Sequence, residues 1–222
     1  MLHISKKKPI WIITQPRTGS YYLCDLLNST GLFENCPFNE YYNYDMPQDK
    51  WTLSEPPPYN KFHWTWLHSP PPQTIPLETL QQTVALLPEI MYIELDRADT
   101  VAQTVSFLFS KKTNCWQSAF SKGYSAFSMP FNEDELLEIY SQMKRLSAER
   151  KQFLADKQHI IIEYSDMIAD PIKTVENILA FAEYPPTPIN MKLVRQRKMH
   201  NPCKSEHVEL LRKIILAKGW NQ

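Results

Sequence analysis

A polar loop after an apolar run near the start of the chain has residue types that suit binding of a small anion. The run WIITQPRTGSYYLCDLL covers residues 11–27 and reads as a strand, a tight loop and a helix. Such a turn presents the first backbone N–H groups of the helix, at the positive end of its dipole. Gly19 permits close backbone approach, Thr18 and Ser20 supply hydroxyl groups, and Arg17 supplies positive charge. Together they predict a phosphate cradle.

The same loop has a plainer interpretation, as an ordinary turn in which Ser20 caps the following helix. It lacks the spacing and the lysine of the Walker phosphate-binding motif, and it also lacks the GxGxxG motif of dinucleotide-binding proteins. The loop alone therefore leaves both interpretations open.

A second polar constellation follows the apolar run MYIEL. Arg97 would lie at the carboxyl end of a strand, which is the edge where open α/β sheets bind ligands. On the helix that follows, polar residues fall within about 60° of one another: Asp99, Gln103, Ser106 and Ser110. This polar stripe either serves a ligand near Arg97 or faces water.

The elements that must position these groups are short and apolar. Three runs, PIWIIT (9–14), IMYIEL (90–95) and HIIIEY (159–164), are typical of buried parallel strands, and KFHWTWL (61–67) is a fourth candidate. Helical patterns end at Gly31, cover residues 101–109 and about 132–156, and begin at Asp170-Pro171. The pattern predicts an α/β fold in which a mainly parallel central sheet is flanked by helices.

Length and charge set limits on the partners. With 222 residues, the chain is long enough to bury a substantial core, and we expect a single domain over residues 1–222. Lys plus Arg and Asp plus Glu both number 24. A nucleic-acid-binding protein usually has a basic excess, so we expect no nucleic-acid partner.

Cysteine use and the N-terminal segment predict a compartment. The four cysteines have no metal-ligand spacing and read as free thiols in a reducing environment. The apolar run after the N-terminal lysines is too short for a secretory or membrane-spanning segment. We therefore expect a cytoplasmic protein with no membrane partner.

Several segments together resemble a known family. PRTGSYYLCDLL and LDRADTVAQTVSF are similar to the two nucleotide-binding segments of the bacterial sulfotransferases typified by trehalose sulfotransferase. In the same order along the chain, further segments resemble that family: PFNEYYNY, KFHWTW, CWQ, EYSDMIADPIKTVENILAFAEY and KLVRQRKMHNPCKSEHVELLRK. The resemblance implies a P-loop NTPase-like sulfotransferase fold.

The resemblance also implies a co-substrate, 3′-phosphoadenosine 5′-phosphosulfate (PAPS), which would leave as adenosine 3′,5′-bisphosphate. No metal is expected, because a sulfuryl group carries less charge than a phosphoryl group and the sequence shows no cluster of metal ligands. The residues that would surround the 5′-phosphate and sulfate are Arg17, Thr18, Gly19, Ser20 and Tyr21. Those that would hold the 3′-phosphate are Arg97 and Ser106, with Arg195 as a further candidate.

The same resemblance suggests a general base and an acceptor site. Glu40 matches the family's carboxylate, while His63 is the competing base, because other cytoplasmic sulfotransferases use histidine. Lys61, His63 and Trp64 are the predicted acceptor-side residues. The alternatives are an exposed strand-end lysine, a packed strand histidine and a core tryptophan.

The sequence departs from the family pattern in three places. Tyr21 stands where a smaller hydroxyl residue is common, and His207 replaces a tryptophan. The stretch between Trp51 and Ile90 is compact, although acceptor-binding insertions would lie there. The compact stretch argues against trehalose itself as the acceptor, and Tyr21 implies that a phosphate contact comes from backbone N–H or the phenol.

The function predicted from the sequence is transfer of sulfate from PAPS to a hydroxyl of a carbohydrate or other small-molecule acceptor. The family expectation for assembly is a homodimer. The alternatives are a P-loop-type small-molecule kinase, a catalytically silent nucleotide-binding protein and a structural interaction domain. A kinase should carry a Walker lysine and a magnesium carboxylate, for which Asp96 and Asp99 are the nearby acids.

Overall fold

The computed structural model of the protein describes residues 8–33, 59–65, 77–85, 89–113, 132–194 and 202–220. Within them, the strands are β1 (Ile10–Thr14), β2 (Tyr59–His63), β3 (Met91–Asp96) and β4 (His159–Glu163). The helices are α1 (Ser20–Asn28), α2 (Leu77–Ala85), α3 (Thr100–Thr113), α4 (Glu133–Leu154), α5 (Tyr164–Ala169), α6 (Pro171–Phe181) and α7 (Pro202–Ala217).

The described strands form one parallel sheet in the order β2-β1-β3-β4. This confirms the predicted α/β fold with a parallel sheet. The four predicted strand segments are confirmed as well, although β2 begins before Lys61 and ends at His63. The next residues, Trp64 and Thr65, turn into a short 3₁₀ helix.

The strand order creates a topological switch point at β1. The chain passes from β1 to β2 on one side and then returns to pair β3 on the other side of β1. The segments that leave the carboxyl ends of β1 and β3 therefore border a shared crevice, which is where open α/β sheets bind ligands.

Apolar side chains on both faces of the sheet form its core. On one face, Ile12 and Ile93 pack with residues of α1, α5 and α6. On the other face, Trp11, Ile13 and Tyr92 pack with residues of α2 and α4. A third cluster joins α3, α4 and α7. Because both faces of β1 and β3 are covered, these strands read as continuous apolar runs, whereas Ile161 of the edge strand β4 is exposed.

Capping residues explain where two of the predicted helices begin. Asn132 accepts a hydrogen bond from the backbone N–H of Asp134, and Asp170 accepts one from Lys173. Pro171 then occupies the first helical position of α6, as predicted. Helices α2, α5 and α7 are not predicted by the apolar pattern, because they are short, adjoin prolines or have weakly periodic apolar residues.

No helix within the described ranges is both long and apolar enough to cross a membrane.

Candidate functional site

The loop between β1 and α1 is held rigid by its own hydrogen bonds. Thr14 Oγ1 donates to the Leu95 carbonyl oxygen at 3.1 Å and also lies within hydrogen-bond distance of Thr18 Oγ1. Thr18 Oγ1 donates to the Gln15 carbonyl oxygen at 2.9 Å. Thr18 therefore stabilises the loop through its side chain, which is fully buried.

Two residues of this loop adopt a left-handed backbone conformation. Gly19 has φ 84° and Arg17 has φ 67°. Gly19 is the N-cap of α1 and its carbonyl oxygen accepts the Leu23 N–H at 3.0 Å, so Ser20 is the first helical residue. The alternative in which Ser20 caps the helix is wrong, because no side chain caps α1. The helix N-terminus is left facing the crevice.

Close packing explains why a glycine stands at position 19. A Cβ atom there would lie 2.9 Å from Met167 Cε and 2.9 Å from two ring carbons of Tyr164. Tyr164 and Met167 belong to α5, which follows β4 at the same edge of the sheet. Gly19 thus allows α5 to press against the start of α1.

Replacement of Gly19 by alanine is expected to destabilise the protein more than the same change at Gly31. Both glycines have positive φ, at 84° and 71°, but nothing lies within 4 Å of a Cβ at Gly31. The shared strain therefore cancels, and the clash with Tyr164 adds about 1 kcal/mol to the free-energy loss. Chemical denaturation of the two variants measures this difference, and equal destabilisation would contradict it.

The segment after β3 meets the loop after β1 through two arginines. Arg97 NH1 donates to the carbonyl oxygen of Arg17 at 3.0 Å. Arg17 Nε donates to Ser106 Oγ on α3 at 3.1 Å. The polar residues Arg17, Arg97 and Ser106, from two segments about ninety residues apart, therefore converge on the switch point.

The side chain of Arg97 is largely buried and packs against an aromatic ring. Its guanidinium carbon lies 4.7 Å from the centre of the Tyr164 ring, a cation–π distance. Burial lowers the pKa of Arg97 from its usual value, although the group stays charged. Its Nε is buried and has no hydrogen-bond partner within the described part of the chain. A buried donor in this state is suited to an acceptor that a ligand brings.

Lys61 and His63 on β2 lie on the α1 side of the sheet, since side chains alternate along a strand and Phe62 packs on the other face. Lys61 is only 1% exposed, and its Nζ lies 3.3 Å from the centre of the Tyr21 ring on α1. His63 pairs in register with Thr14, so it stands beside the start of the loop between β1 and α1. The exposed-lysine alternative is therefore wrong.

Comparison with known proteins identifies the family of this chain. A model described as "Sulfotransferase family" matches residues 73–188, just over half of the sequence. The chain belongs to the sulfotransferase family. A search of curated proteins finds no match.

Solved structures share the fold of this sulfotransferase. The chain is similar to a sulfotransferase domain from the curacin biosynthetic pathway, with 13% identity and a TM-score of 0.50, over 88% of this chain and 79% of that one. It is similar to the sulfotransferase from Alicyclobacillus acidocaldarius, also with 13% identity and a TM-score of 0.50, over 95% and 94% of the two chains. At this identity the likeness concerns the fold alone.

The remaining predicted site residues of the sulfotransferase fall in two groups. Glu40 and Arg195 lie outside the described residues. Trp64 lies in the core between the sheet and α4, with its ring centre 5.0 Å from that of Phe153. This placement favours the core alternative for Trp64. In the described ranges, no group of three or more His, Cys, Asp or Glu side chains is arranged to hold a metal ion.

The sequence pattern does not single out Gln15 or Tyr164 as site residues, and it leaves the role of Gln103 open. Gln103 Nε2 donates to the Pro16 carbonyl oxygen at 2.8 Å, and Gln15 Nε2 donates to the Met143 carbonyl oxygen at 3.1 Å. Three members of the predicted polar stripe, Gln103, Ser106 and Ser110, are buried and do not face water, whereas Asp99 is exposed. Tyr164 follows β4 directly, at the carboxyl edge of the sheet, and that position is the one sequence signal for a place in the site.

Proposed function

We propose that this sulfotransferase transfers a sulfuryl group from PAPS to a hydroxyl of a carbohydrate or other small-molecule acceptor. The observation that carries the proposal is the 3.1 Å contact between Arg17 Nε and Ser106 Oγ. It brings a charged loop, the N-terminus of α1 and a hydroxyl of α3 to the switch point of the sheet, which suits a nucleotide with more than one anionic group.

The two arginines divide the anionic groups of the donor between them. Arg17 with the α1 N-terminus is assigned to the 5′-phosphate and sulfate, together with Thr18, Gly19, Ser20 and Tyr21. The hydroxyl of Thr18 is used within the loop, so Thr18 would contribute through its backbone. Arg97 and Ser106 are assigned to the 3′-phosphate, and Arg195 is a further candidate for that group. The buried Nε of Arg97, which lacks a partner among the described residues, supports this assignment.

Catalysis of this transfer depends mainly on positioning of the reactants and on stabilisation of the developing charge. The acceptor oxygen forms a bond to sulfur as the bond from sulfur to the bridging oxygen breaks, and that electron pair stays on the departing bisphosphate. Positive charge from Arg17 and Lys61 would offset the charge that develops there, by analogy with phosphoryl transfer. Lys61 is held near this region by the Tyr21 ring.

The acceptor must also lose its proton to a base. Glu40 is the proposed base, because it matches the carboxylate position of the family that the sequence resembles. His63 is the competing base, and its register with Thr14 supports a place beside the donor loop. Both residues can accept a proton at neutral pH when their surroundings tune the pKa.

The nearby carboxylates support a sulfotransferase over a kinase. Asp96 Oδ1 lies 2.6 Å from Arg150 NH2, and Asp99 Oδ2 lies 3.1 Å from Arg212 NH2. Asp99 Oδ1 also accepts the Ala102 N–H at 2.9 Å. Both carboxylates are thus engaged with cations or the backbone, whereas a magnesium ligand of a kinase would be directed at the nucleotide.

We propose a glycan or other small molecule as acceptor, a homodimer as assembly and the cytoplasm as location, without a nucleic-acid or membrane partner. The acceptor-side residues proposed are Lys61 and His63; Trp64, which packs in the core, is left to a structural role.

Titration calorimetry tests the donor directly. Adenosine 3′,5′-bisphosphate is expected to bind at least about tenfold more tightly than 5′-AMP, because charged hydrogen bonds to the 3′-phosphate are lost with AMP. ADP with magnesium serves as the kinase control. Equal binding of bisphosphate and AMP would overturn the assignment of Arg97, and a preference for ADP with magnesium would favour a kinase.

A further inference from the structure

Arg150, near the carboxyl end of α4, carries a fully buried guanidinium group that faces β3. Its Nε donates to Glu94 Oε1 at 3.1 Å, and its NH2 lies 3.0 Å from the same oxygen. The same NH2 donates to Asp96 Oδ1 at 2.6 Å. Lys151 Nζ lies 3.0 Å from the other oxygen, Asp96 Oδ2. Buried ion pairs are often no more stabilising than apolar residues of similar size, so this cluster calls for another role.

The cluster acts on the residue that stands next to Arg97. Burial favours a raised pKa for Asp96, but the charge of Arg150 and hydrogen bonds from Lys151 and Arg150 bring the net shift below its ordinary value. The backbone N–H of Arg97 hydrogen-bonds to the same carboxylate. Asp96 therefore joins the guanidinium of Arg150 to the peptide from which the Arg97 side chain extends.

Helix α4 also contacts the loop between β1 and α1. The side chain of Gln15, which follows β1, donates to the carbonyl oxygen of Met143. Met143 and Arg150 lie about 10 Å apart along the helix axis. One helix thus contacts both the segment after β1 and the segment after β3 and fixes the distance between them. The hydrogen bond from the Arg97 guanidinium to the Arg17 carbonyl oxygen depends on that distance.

We propose that Arg150 is a positioning residue that sets the direction of Arg97 through the carboxylate of Asp96, and thereby the preference of the site for nucleotides with a 3′-phosphate. The inference rests on the proposed function, because the preference belongs to the donor site described above. Arg150 itself touches no nucleotide in this scheme.

The test compares two variants that keep the interior filled. Arg150→Lys keeps the charge but cannot bridge Glu94 and Asp96 with a planar fork. The double variant Glu94→Gln with Arg150→Met removes one charge of each sign, and Asp96 keeps Lys151 as its partner. Arg145→Met is the matched control, since Arg145 lies on the same helix and pairs at the surface with Glu149.

The readout is the ratio of dissociation constants for 5′-AMP and adenosine 3′,5′-bisphosphate, measured by calorimetry on folded protein. Both Arg150 variants are expected to lower this ratio about tenfold, mainly by weakening the bisphosphate, because a small misplacement of a binding group is costly. The Arg145 control is expected to keep the wild-type ratio. A purely structural role would lower the unfolding temperature without changing the ratio.

The possible results separate this inference from the proposed function. If the wild-type protein shows no preference for the bisphosphate, the proposed donor is wrong. If the wild type has the preference and the Arg150 variants keep it, the positioning role is overturned. If neither Arg150 variant folds, Asp96→Asn decides by the same ratio, and a failure of all three to fold would assign the cluster to stability alone and overturn the inference.

Discussion

Replacement of Glu40 by glutamine is expected to lower the rate of sulfate transfer about 10²–10⁴-fold, because a positioned general base contributes an effect of that size. Glutamine has the shape of glutamate but cannot accept the acceptor's proton. The affinity for adenosine 3′,5′-bisphosphate should hardly change, since the base acts on the acceptor and not on the nucleotide. A change in turnover without a change in donor binding is the signature of a group that acts in the transition state.

The measurement is transfer from radiolabelled PAPS to a panel of sugars and other small hydroxyl compounds. His63→Gln is the matched variant, since His63 stands beside Thr14 at the same edge of the sheet. Loss of turnover in the His63 variant with normal turnover in the Glu40 variant would reassign the base to His63. Normal donor binding without turnover on any acceptor, in the wild type as well, would favour a catalytically silent nucleotide-binding protein.

Replacement of Arg97 by alanine is expected to remove most of the preference for the 3′-phosphate. A hydrogen bond to a charged group contributes about 1.5–3 kcal/mol, which corresponds to roughly 10–150-fold in affinity. Part of the loss will be shared by 5′-AMP, because Arg97 NH1 also holds the Arg17 carbonyl oxygen. The decisive quantity is therefore the difference in binding free energy between the two nucleotides.

Two variants refine the Arg97 experiment. Arg97→Lys keeps the positive charge but loses the planar guanidinium over the Tyr164 ring, so it should recover only part of the preference. Ser106→Ala should cause a smaller loss, since it removes one hydroxyl that accepts from Arg17. Equal weakening of both nucleotides by Arg97→Ala would show that this arginine stabilises the loop and does not read the 3′-phosphate.

The structure gives a physical reason for the composition of the loop between β1 and α1. Gly19 is required by the close approach of Tyr164, and the Thr18 hydroxyl is used within the loop. The Arg17 charge, the backbone N–H groups and the Ser20 hydroxyl are the groups that we propose for the ligand. Residue types alone suit both hydroxyls, of Thr18 and Ser20, to a phosphate, and they do not reveal that the Thr18 side chain turns inward.

Much of the fold follows from local sequence. The strands β1 and β3 are apolar on both faces, which is a property of parallel strands covered by helices and can be recognised without coordinates. The equally apolar β4 was expected to be buried too, but it lies at the edge of the described sheet and its Ile161 is 59% exposed. The start of α6 is likewise encoded locally, since Asp170 caps the helix and Pro171 fits its first position. Such signals act over a few residues, so they survive in the sequence.

The positions of Arg17 and Arg97 relative to each other were only partly encoded. Their residue types and their places after apolar runs predicted a shared anion site. The pairing of β1 with β3 is a long-range property of the fold. It places Arg97 close enough to donate to the Arg17 carbonyl oxygen. Pairing between distant segments leaves no periodic trace in a single sequence.

By itself, the sequence determined the α/β class, the two charged segments and the likeness to sulfotransferases, because apolar periodicity, capping and motif order are local properties of the chain. Only the tertiary structure decided that Lys61 is buried over Tyr21, that Gln103 bonds to the loop between β1 and α1, and that Trp64 lies in the core. It alone connected Arg150 to Asp96. These depend on which distant segments pack together, and that is a property of the whole fold.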